Sequence, residues 1–170
     1  SLAAAFGLPY AFASHFAPAQ LDQALHIYRE RFQPSAALDK PHVMAAMSVL
    51  CAETDEEADF LATSMQQSFV AFRTGGSGRL KPPVAGYGET MSPEAAAMME
   101  SMRSVRAVGG PAKVREGILG FLERTRADEL IMKNVEKQAA TYGVPGTMKN
   151  ATSDRWLGEG DTVTVAGHIF

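Results

Sequence analysis

Residues Gly7–Phe16 have the sequence GLPYAFASHF, and this stretch decides the fold. A Gly-Leu-Pro turn precedes an apolar run with β-forming aromatics, which predicts a buried strand. The strand ends at the polar pair Ser14 and His15, and Pro18 then fits the first turn of a helix. In parallel α/β proteins, ligands bind at the carboxyl ends of the strands. Ser14 and His15 are therefore the first candidates for a ligand site.

The same order of strand and helix recurs along the chain. Apolar residues at helical spacing predict an amphipathic helix after the first strand: Leu21, Leu25, Tyr28 and Phe32. Residues Pro41–Cys51 form a second apolar run of strand length, and Thr54 with Glu57 forms a capping box that opens a helix reaching about Arg73. Ala127–Met132 predicts a further strand. This alternation predicts an α/β fold with a parallel sheet and helical crossovers.

Further helices and one long excursion are expected between the second and last of these strands. The helix from Thr54 is expected to bury one stripe of side chains: Phe60, Leu61, Ser64, Met65 and Phe69. Residues 74–91 hold five glycines and two adjacent prolines, which predicts an irregular loop that is either mobile or functional. Helices are also expected from Ser92 to about Arg103 and after Gly109-Gly110-Pro111.

The composition predicts one globular cytoplasmic domain. The 170 residues are 46% hydrophobic and have a formal net charge of −3. The absence of a basic run argues against nucleic acid as a partner. No apolar run approaches the ~18 residues of a membrane span, and no signal peptide precedes the first strand. Cys51 is the single cysteine, so no internal disulfide is expected, and its apolar neighbours predict a buried, inert thiol.

Histidines are the main candidates for chemistry: His15, His26, His42 and His168. Their spacing does not fit a metal site, and there is no cysteine pair to support one. His15 either lines a ligand pocket or satisfies a hydrogen bond in the core, and His168 has the same alternatives in a second strand. Gly109–Lys113 is either a phosphate cradle at a helix N-terminus or a plain helix start, and its spacing favours the helix start.

The combination of several segments resembles the bacterial luciferase-like FMN-dependent monooxygenases. The opening stretch resembles the Gly-Leu-Pro-Phe/Tyr-Ala-Phe-Ala-Ser-His-Phe strand of one subgroup of that family. Further matching segments follow in the family's order: 28–29, 32–35, 38–41, 63–67, 108–114 and 127–130. The resemblance covers about residues 2–132, and it is specific as a combination rather than in any one segment.

The resemblance implies an incomplete (β/α)8 TIM-barrel-like fold, of which this chain has the C-terminal portion with about the last three strands. The family binds reduced FMN at the carboxyl face of its strands, activates O2 and oxygenates a small organic substrate such as an aldehyde. It implies that Ser14 and His15 approach the flavin ring, with His15 catalytic, and that His168 is a further cofactor contact. The loop from Thr74 to about Arg106 matches the family's mobile active-site segment. The implied partners are a flavin reductase that supplies reduced FMN and further copies of the chain.

By this resemblance, residues 1–132 form a partial barrel, 133–162 an atypical polar insertion and 163–170 a terminal strand. The family's first five strands have no counterpart here, and the chain begins within a helix, so a fragment or variant of such an enzyme is expected. The alternative is a non-catalytic truncated barrel that binds flavin or a partner chain through its open sheet. A small enzyme with Ser14 as nucleophile and His15 as base is disfavoured, because adjacent strand residues point to opposite faces.

Overall fold

A computed structural model describes residues 1–77, 79–132, 164–165 and 168–169. The helices are α1 (Leu2–Ala5), α2 (Leu21–Glu30), α3 (Asp55–Arg73), α4 (Pro93–Ser101) and α5 (Pro111–Thr125). The strands are β1 (Tyr10–Phe12), β2 (Val43–Cys51), β3 (Arg106–Gly109), β4 (Glu129–Met132), β5 (Thr164–Val165) and β6 (His168–Ile169). Short 3-10 turns cover Pro18–Gln20, Tyr87–Thr90 and Arg103–Val105.

The sheet is built around β2, which pairs in parallel with each of three other strands. β1 pairs with residues 43–45 of β2, and β4 pairs with residues 44–47. Because these stretches overlap, β1 and β4 must lie on opposite sides of β2. β3 pairs with residues 48–51, the carboxyl half of the same strand.

The two faces of β2 pack against different helices. Val43, Ala45 and Met47 are buried against α2 and α5, whereas Leu50 packs against Ala58 and Ala62 of α3. β3 pairs with the carboxyl half of β2 in the order β1-β2-β3, and α5 then leads to β4, which pairs with residues 44–47 of the same central strand.

Hydrogen bonds tie the strands together at their amino ends. The buried Tyr28 hydroxyl donates to the Leu8 carbonyl (2.8 Å) and accepts from the His42 N–H (3.1 Å). The Asp128 carboxylate accepts from the Val43 N–H (2.7 Å), and His42 Nε2 lies 2.6 Å from Glu129 Oε1. His42 thus has a structural position. These contacts stabilise the amino edge of the sheet and leave the carboxyl edge for a site.

The α/β fold with parallel strands and helical crossovers is confirmed, as are the main elements. The predicted face of α2 is buried at Leu21, Leu25 and Tyr28, and β2 lies within the predicted run. Thr54 caps α3 by accepting from the Glu57 N–H at 3.2 Å. The described residues between α3 and α4, which exclude residue 78, are irregular apart from one 3-10 turn, as predicted.

Three predictions were wrong. β3 was missed, because four residues with a charge at their start give no periodic signal. The stripe predicted on α3 holds at Ser64, and Leu61, Met65 and Phe69 pack partly buried against the core, but Phe60 is 44% exposed. The other buried positions of the helix are small residues: Ala58, Ala62 and Thr63. The small side chains allow a close approach to the sheet, so the large ones flank the contact. Cys51 is exposed, because it is the last residue of β2 and lies beyond the packed face.

The C-terminal predictions lie mostly outside the described residues. The polar insertion at 133–162 is wholly outside them, and of residues 163–170 only β5 and β6 are described, which pair antiparallel with Val165 opposite His168. Among the helices of the described ranges, none is long and apolar enough to cross a membrane.

Candidate functional site

A cavity of about 350 Å³ lies at the carboxyl ends of β1 and β2. Its wall is formed by the turn after β1, the carboxyl half of β2, α3, the loop that follows α3, α4 with the turn after it, and β3. Apolar side chains form most of its wall, notably Leu50, Met65, Phe69, Leu80, Met99 and Met102. Ligands of parallel α/β folds bind at the carboxyl ends of the strands. The cavity lies at those ends of β1 and β2.

Tight turns after β1 place His15 and Phe16 in the cavity wall. The Ser14 N–H donates to the Phe12 carbonyl (2.9 Å), and the Phe16 N–H donates to the Ala13 carbonyl (3.0 Å). These turns separate the two residues that the sequence singled out. Ser14 is fully buried, its hydroxyl donates to the Phe12 carbonyl (3.3 Å), and it does not line the cavity. His15 does, and its ring packs against Phe16 with centroids 4.2 Å apart.

The C-terminal end of α3 holds the β1 turn in place. The Arg73 guanidinium donates to the Phe16 carbonyl (2.9 Å) and lies over the Phe69 ring, 5.2 Å from its centroid. α3 therefore begins just after β2 and ends beside the exit of β1. Its 19 residues span roughly 28 Å at 1.5 Å per residue, which is enough to cross the carboxyl edge of the sheet.

Polar side chains of α3 hold a strap, residues 79–84, against the helix. Ser68 Oγ donates to the Arg79 carbonyl (2.8 Å), and Gln67 Nε2 donates to the Pro82 carbonyl (3.0 Å). Thr63 Oγ1 accepts from the Val84 N–H (2.9 Å). The strap places Leu80 in the cavity wall. Part of the long predicted excursion thus covers the cavity.

Arg106 brings a positive charge to the cavity. It begins β3 opposite Ser48 of β2, and both side chains line the cavity. Burial lowers the pKa of the Arg106 guanidinium, with Asp59 opposing that shift. The group stays protonated at neutral pH, since arginine is not deprotonated in proteins. Its guanidinium makes no hydrogen bond to any side chain or backbone group of the described ranges.

The phosphate cradle considered at Gly109–Lys113 is filled by a carboxylate. The Asp55 carboxylate accepts from the Gly110 N–H (2.7 Å) and lies 3.4 Å from Lys113 Nζ. The hydrogen bond from the Gly110 N–H lowers the pKa of Asp55 most, and Lys113 lowers it further, so that this pKa lies below its ordinary value. The segment is therefore the start of α5, as the spacing favoured, and Asp55 couples the first turns of α3 and α5.

Two other histidines, His26 and His42, lie away from the cavity. His26 is exposed on α2, with Nε2 3.3 Å from Glu30 Oε1, and His42 lies at the amino edge. The side chain of His168 lies outside the described part of the chain, so its predicted role stays a prediction. Searching the described residues for three or more clustered metal-ligating side chains finds none.

Sequence reasoning missed several residues of the cavity wall. Arg106 was placed in a connection rather than a strand, although it is the one charge in the run Val105–Gly109. Met65 and Phe69 were assigned to the core, although both are half-buried and line the cavity. Gln66 drew attention only as part of a matching segment. The available signal was the run of apolar and aromatic residues on α3 with a polar residue, Gln66, beside it, since such a mixed surface is typical of a ligand site.

No protein-family model matches the chain. A protein of Escherichia coli strain K12 named "Luciferase-like monooxygenase" is 47% identical over 131 residues, which is 77% of this chain and 39% of that protein. The uncharacterized protein YvbT of Bacillus subtilis strain 168 is 41% identical over 133 residues, or 78% of this chain and 40% of that protein. The crystal structure of apo-MsnO8 superposes with a TM-score of 0.58 at 29% identity, covering 76% of this chain and 40% of that chain.

These similarities confirm the resemblance drawn from the sequence: the chain is related to the luciferase-like monooxygenases. It spans about two-fifths of the length of the curated relatives it matches. The likeness to apo-MsnO8 extends the agreement to the fold, again over a part of that chain.

Proposed function

We propose, from its relationship to the luciferase-like monooxygenases, that this chain forms one wall of the flavin and substrate site of a flavin-dependent monooxygenase. The observation that carries the proposal is the apolar cavity at the carboxyl ends of β1 and β2, lined by His15 and the aromatic face of α3. Apolar cavities of a few hundred Å³ with a few placed polar groups are typical of small-molecule sites.

The cavity wall fits the ring system of FMN better than it fits the phosphate. Phe69, Met65 and Leu50 offer flat and adaptable apolar surface, while His15 and Gln66 offer polar atoms for the ring's hydrogen-bonding edge. Gly109–Lys113 cannot cradle the phosphate while Asp55 fills the helix start. Reduced FMN, when bound, supplies the electrons that activate O2 for transfer of one oxygen atom to a small organic substrate such as an aldehyde.

The chain's own residues position ligands and exclude water. The strap and the apolar side chains of α3 and α4 cover the cavity, and exclusion of water protects reactive intermediates and strengthens electrostatic interactions. His15 is the catalytic candidate, because its imidazole lines the cavity and can hold or move a proton there. Ser14 acts by fixing the turn that presents His15. His168 is proposed as a second flavin contact by the family resemblance alone.

The family resemblance also supplies the proposed partners. A separate flavin reductase would deliver reduced FMN, and the chain would work in the cytoplasm as a homo-oligomer. Within the described ranges, β4 pairs with β2 alone, and Ile131 on β4 is 45% exposed. An open parallel edge with an exposed apolar residue supports association with another chain.

A second candidate function is a non-catalytic truncated barrel that binds flavin or a partner chain. The observation in its favour is that, among the described strands, β4 pairs with β2 alone and leaves one edge open to a partner chain. Retained affinity for reduced FMN and turnover favour the enzyme. Stable association with no turnover favours the truncated barrel, and the mass of the particle, measured by light scattering, reports that association.

A fluorescence titration of FMN, oxidised and then reduced under anaerobic conditions, tests the proposal. We expect saturable quenching in the micromolar range, and His15→Gln is expected to weaken binding about 10-fold by removing one charge-assisted or buried hydrogen bond. His26→Gln is the matched control, since His26 is exposed on α2. Absence of quenching up to high micromolar concentrations would overturn the proposal for this chain.

A further inference from the structure

We infer that Arg106 binds the oxyanion of an otherwise apolar organic substrate, such as the carboxylate of a medium-chain acid. The inference rests on the proposed function, because only that function makes the ligand a substrate. It adds the chemical class of molecule that the same cavity binds. Three features of the cavity must hold for this inference: a cationic group without a competing partner, apolar walls, and no carboxylate among the lining side chains.

The state of the guanidinium is the first argument. Arg106 is half-buried and desolvated in the cavity wall, yet no hydrogen bond or ion pair joins it to another residue of the described ranges. Asp59 and Glu100 are near enough to influence it, but Glu100 pairs with Arg103 at 3.3 Å. A guanidinium presents five donors in a planar fork that matches carboxylate and phosphate oxygens. Donors that are desolvated without a partner favour an oxyanion from a ligand.

The composition of the wall is the second argument. Arg106 shares the cavity with Val108, Met99 and Met102 from β3, α4 and the turn after α4. Among the described residues that line the cavity, none is aspartate or glutamate. An apolar body with one negative group therefore meets complementary surface along its whole length. A neutral molecule of the same shape leaves the charge without a partner.

The same wall favours a substrate over the phosphate of FMN. The ribityl phosphate carries several hydroxyl groups beside its oxyanion, and each needs a hydrogen-bond partner when buried. The cavity wall is chiefly apolar, and the polar side chains that line it beside Arg106 are few: His15, Ser48, Gln66 and Ser68. Ser48, opposite Arg106 on β2, adds a single hydroxyl. An alkyl or aryl acid satisfies this surface with one polar end.

Displacement of the neutral dye Nile red from the purified chain provides the test. Decanoate and decan-1-ol have the same alkyl length and differ in the oxyanion. We expect decanoate to compete at a concentration about 10- to 100-fold lower than decan-1-ol, as one charge-assisted bidentate contact implies. Arg106→Gln is expected to remove this preference while leaving decan-1-ol unchanged. Arg103→Gln, an exposed neighbour of equal charge, is expected to retain the preference.

Equal competition by decanoate and decan-1-ol in the wild-type chain would overturn the inference, as would an unchanged preference in Arg106→Gln. The phosphate of FMN is the other possible source of the oxyanion. Parallel titrations of FMN and of riboflavin, which lacks the phosphate, test for it. If Arg106→Gln weakens FMN but not riboflavin, and leaves decanoate unaffected, Arg106 binds the cofactor phosphate and the inference is wrong. Loss of FMN binding in the wild-type chain with a retained decanoate preference would overturn the proposed function and leave the acid site standing.

Discussion

Two glycines on one helix offer a matched test of how α5 holds β3 against the cavity. A Cβ at Gly117 would lie 2.9 Å from the Cβ of Ala107 on β3, whereas a Cβ at Gly120 meets no atom within 4 Å. Ala107 faces the core while its neighbours Arg106 and Val108 line the cavity. Substituting alanine at each position therefore makes the same change in helix propensity with opposite consequences for packing.

The expected magnitudes follow from these distances. Alanine in place of glycine in a helix interior stabilises by about 0.8–1 kcal/mol, which is the expected gain for Gly120→Ala. Gly117→Ala has the same gain in helix propensity. Its new Cβ, however, would lie 2.9 Å from the Ala107 Cβ, whereas two carbon atoms prefer a separation of about 3.5–4 Å. The helix and the strand must therefore move apart by roughly 0.6 Å or more. Such overpacking costs about 1–3 kcal/mol, because the Ala107 Cβ is fixed to the strand backbone and cannot swing away. The free energies of unfolding of the two variants should differ by about 1–3 kcal/mol, with Gly120→Ala the more stable.

Urea unfolding followed by circular dichroism at 222 nm measures the difference directly. In a chain of this size, 1 kcal/mol corresponds to about 2–4 °C in Tm, so thermal melting provides an independent check. We also expect Gly117→Ala to weaken the decanoate preference, since β3 carries Arg106. A Gly117→Ala chain as stable as Gly120→Ala would refute the close contact between α5 and β3.

Three further predictions concern single contacts. Tyr28→Phe removes a buried hydroxyl that bonds two backbone groups and should lower the free energy of unfolding by about 2 kcal/mol, measured by urea unfolding; Tyr87→Phe is the control, and an equal effect of both would contradict the assignment. The lowered pKa of Asp55 means that its contribution to stability is present above its ordinary pKa and is lost as the pH falls through the lowered value. Asp55→Asn should therefore flatten the acid limb of Tm against pH, and an unchanged limb would exclude this role. Thr63→Val removes the acceptor for the Val84 N–H and should speed proteolysis of the strap without shifting Tm by more than a few degrees; unchanged cleavage would show that this bond does not hold the strap.

Most of the fold could be predicted from local patterns. The apolar run of β2, the spacing of Leu21, Leu25 and Tyr28, and the Thr54 cap each signal an element through a few nearby residues. The parallel sheet followed from their alternation. β3 could not be predicted in this way, because its four residues are specified by their pairing with the distant carboxyl half of β2.

The place of the candidate site could be predicted from the sequence, but only some of the residues that line it could be. The sequence singled out the end of β1, and His15 lines the cavity found there, while its part in ligand binding stays a prediction. Ser14 is buried instead, because the turns after Phe12 are set by backbone hydrogen bonds that single-residue patterns do not specify. Arg106 enters the wall because β3 pairs with the carboxyl half of β2, which sets Arg106 opposite Ser48. That pairing joins residues that are distant in the sequence, and local patterns do not specify it.

The central claim is that the cavity at the carboxyl ends of β1 and β2 receives the flavin ring. Hydrogen–deuterium exchange of the full chain, with and without saturating FMN, tests it most directly. The account predicts slower exchange in peptides covering residues 12–17, 47–51 and 62–72, with no change at the amino edge around residues 40–43. Protection confined to other segments, or no protection at saturating FMN, would contradict it.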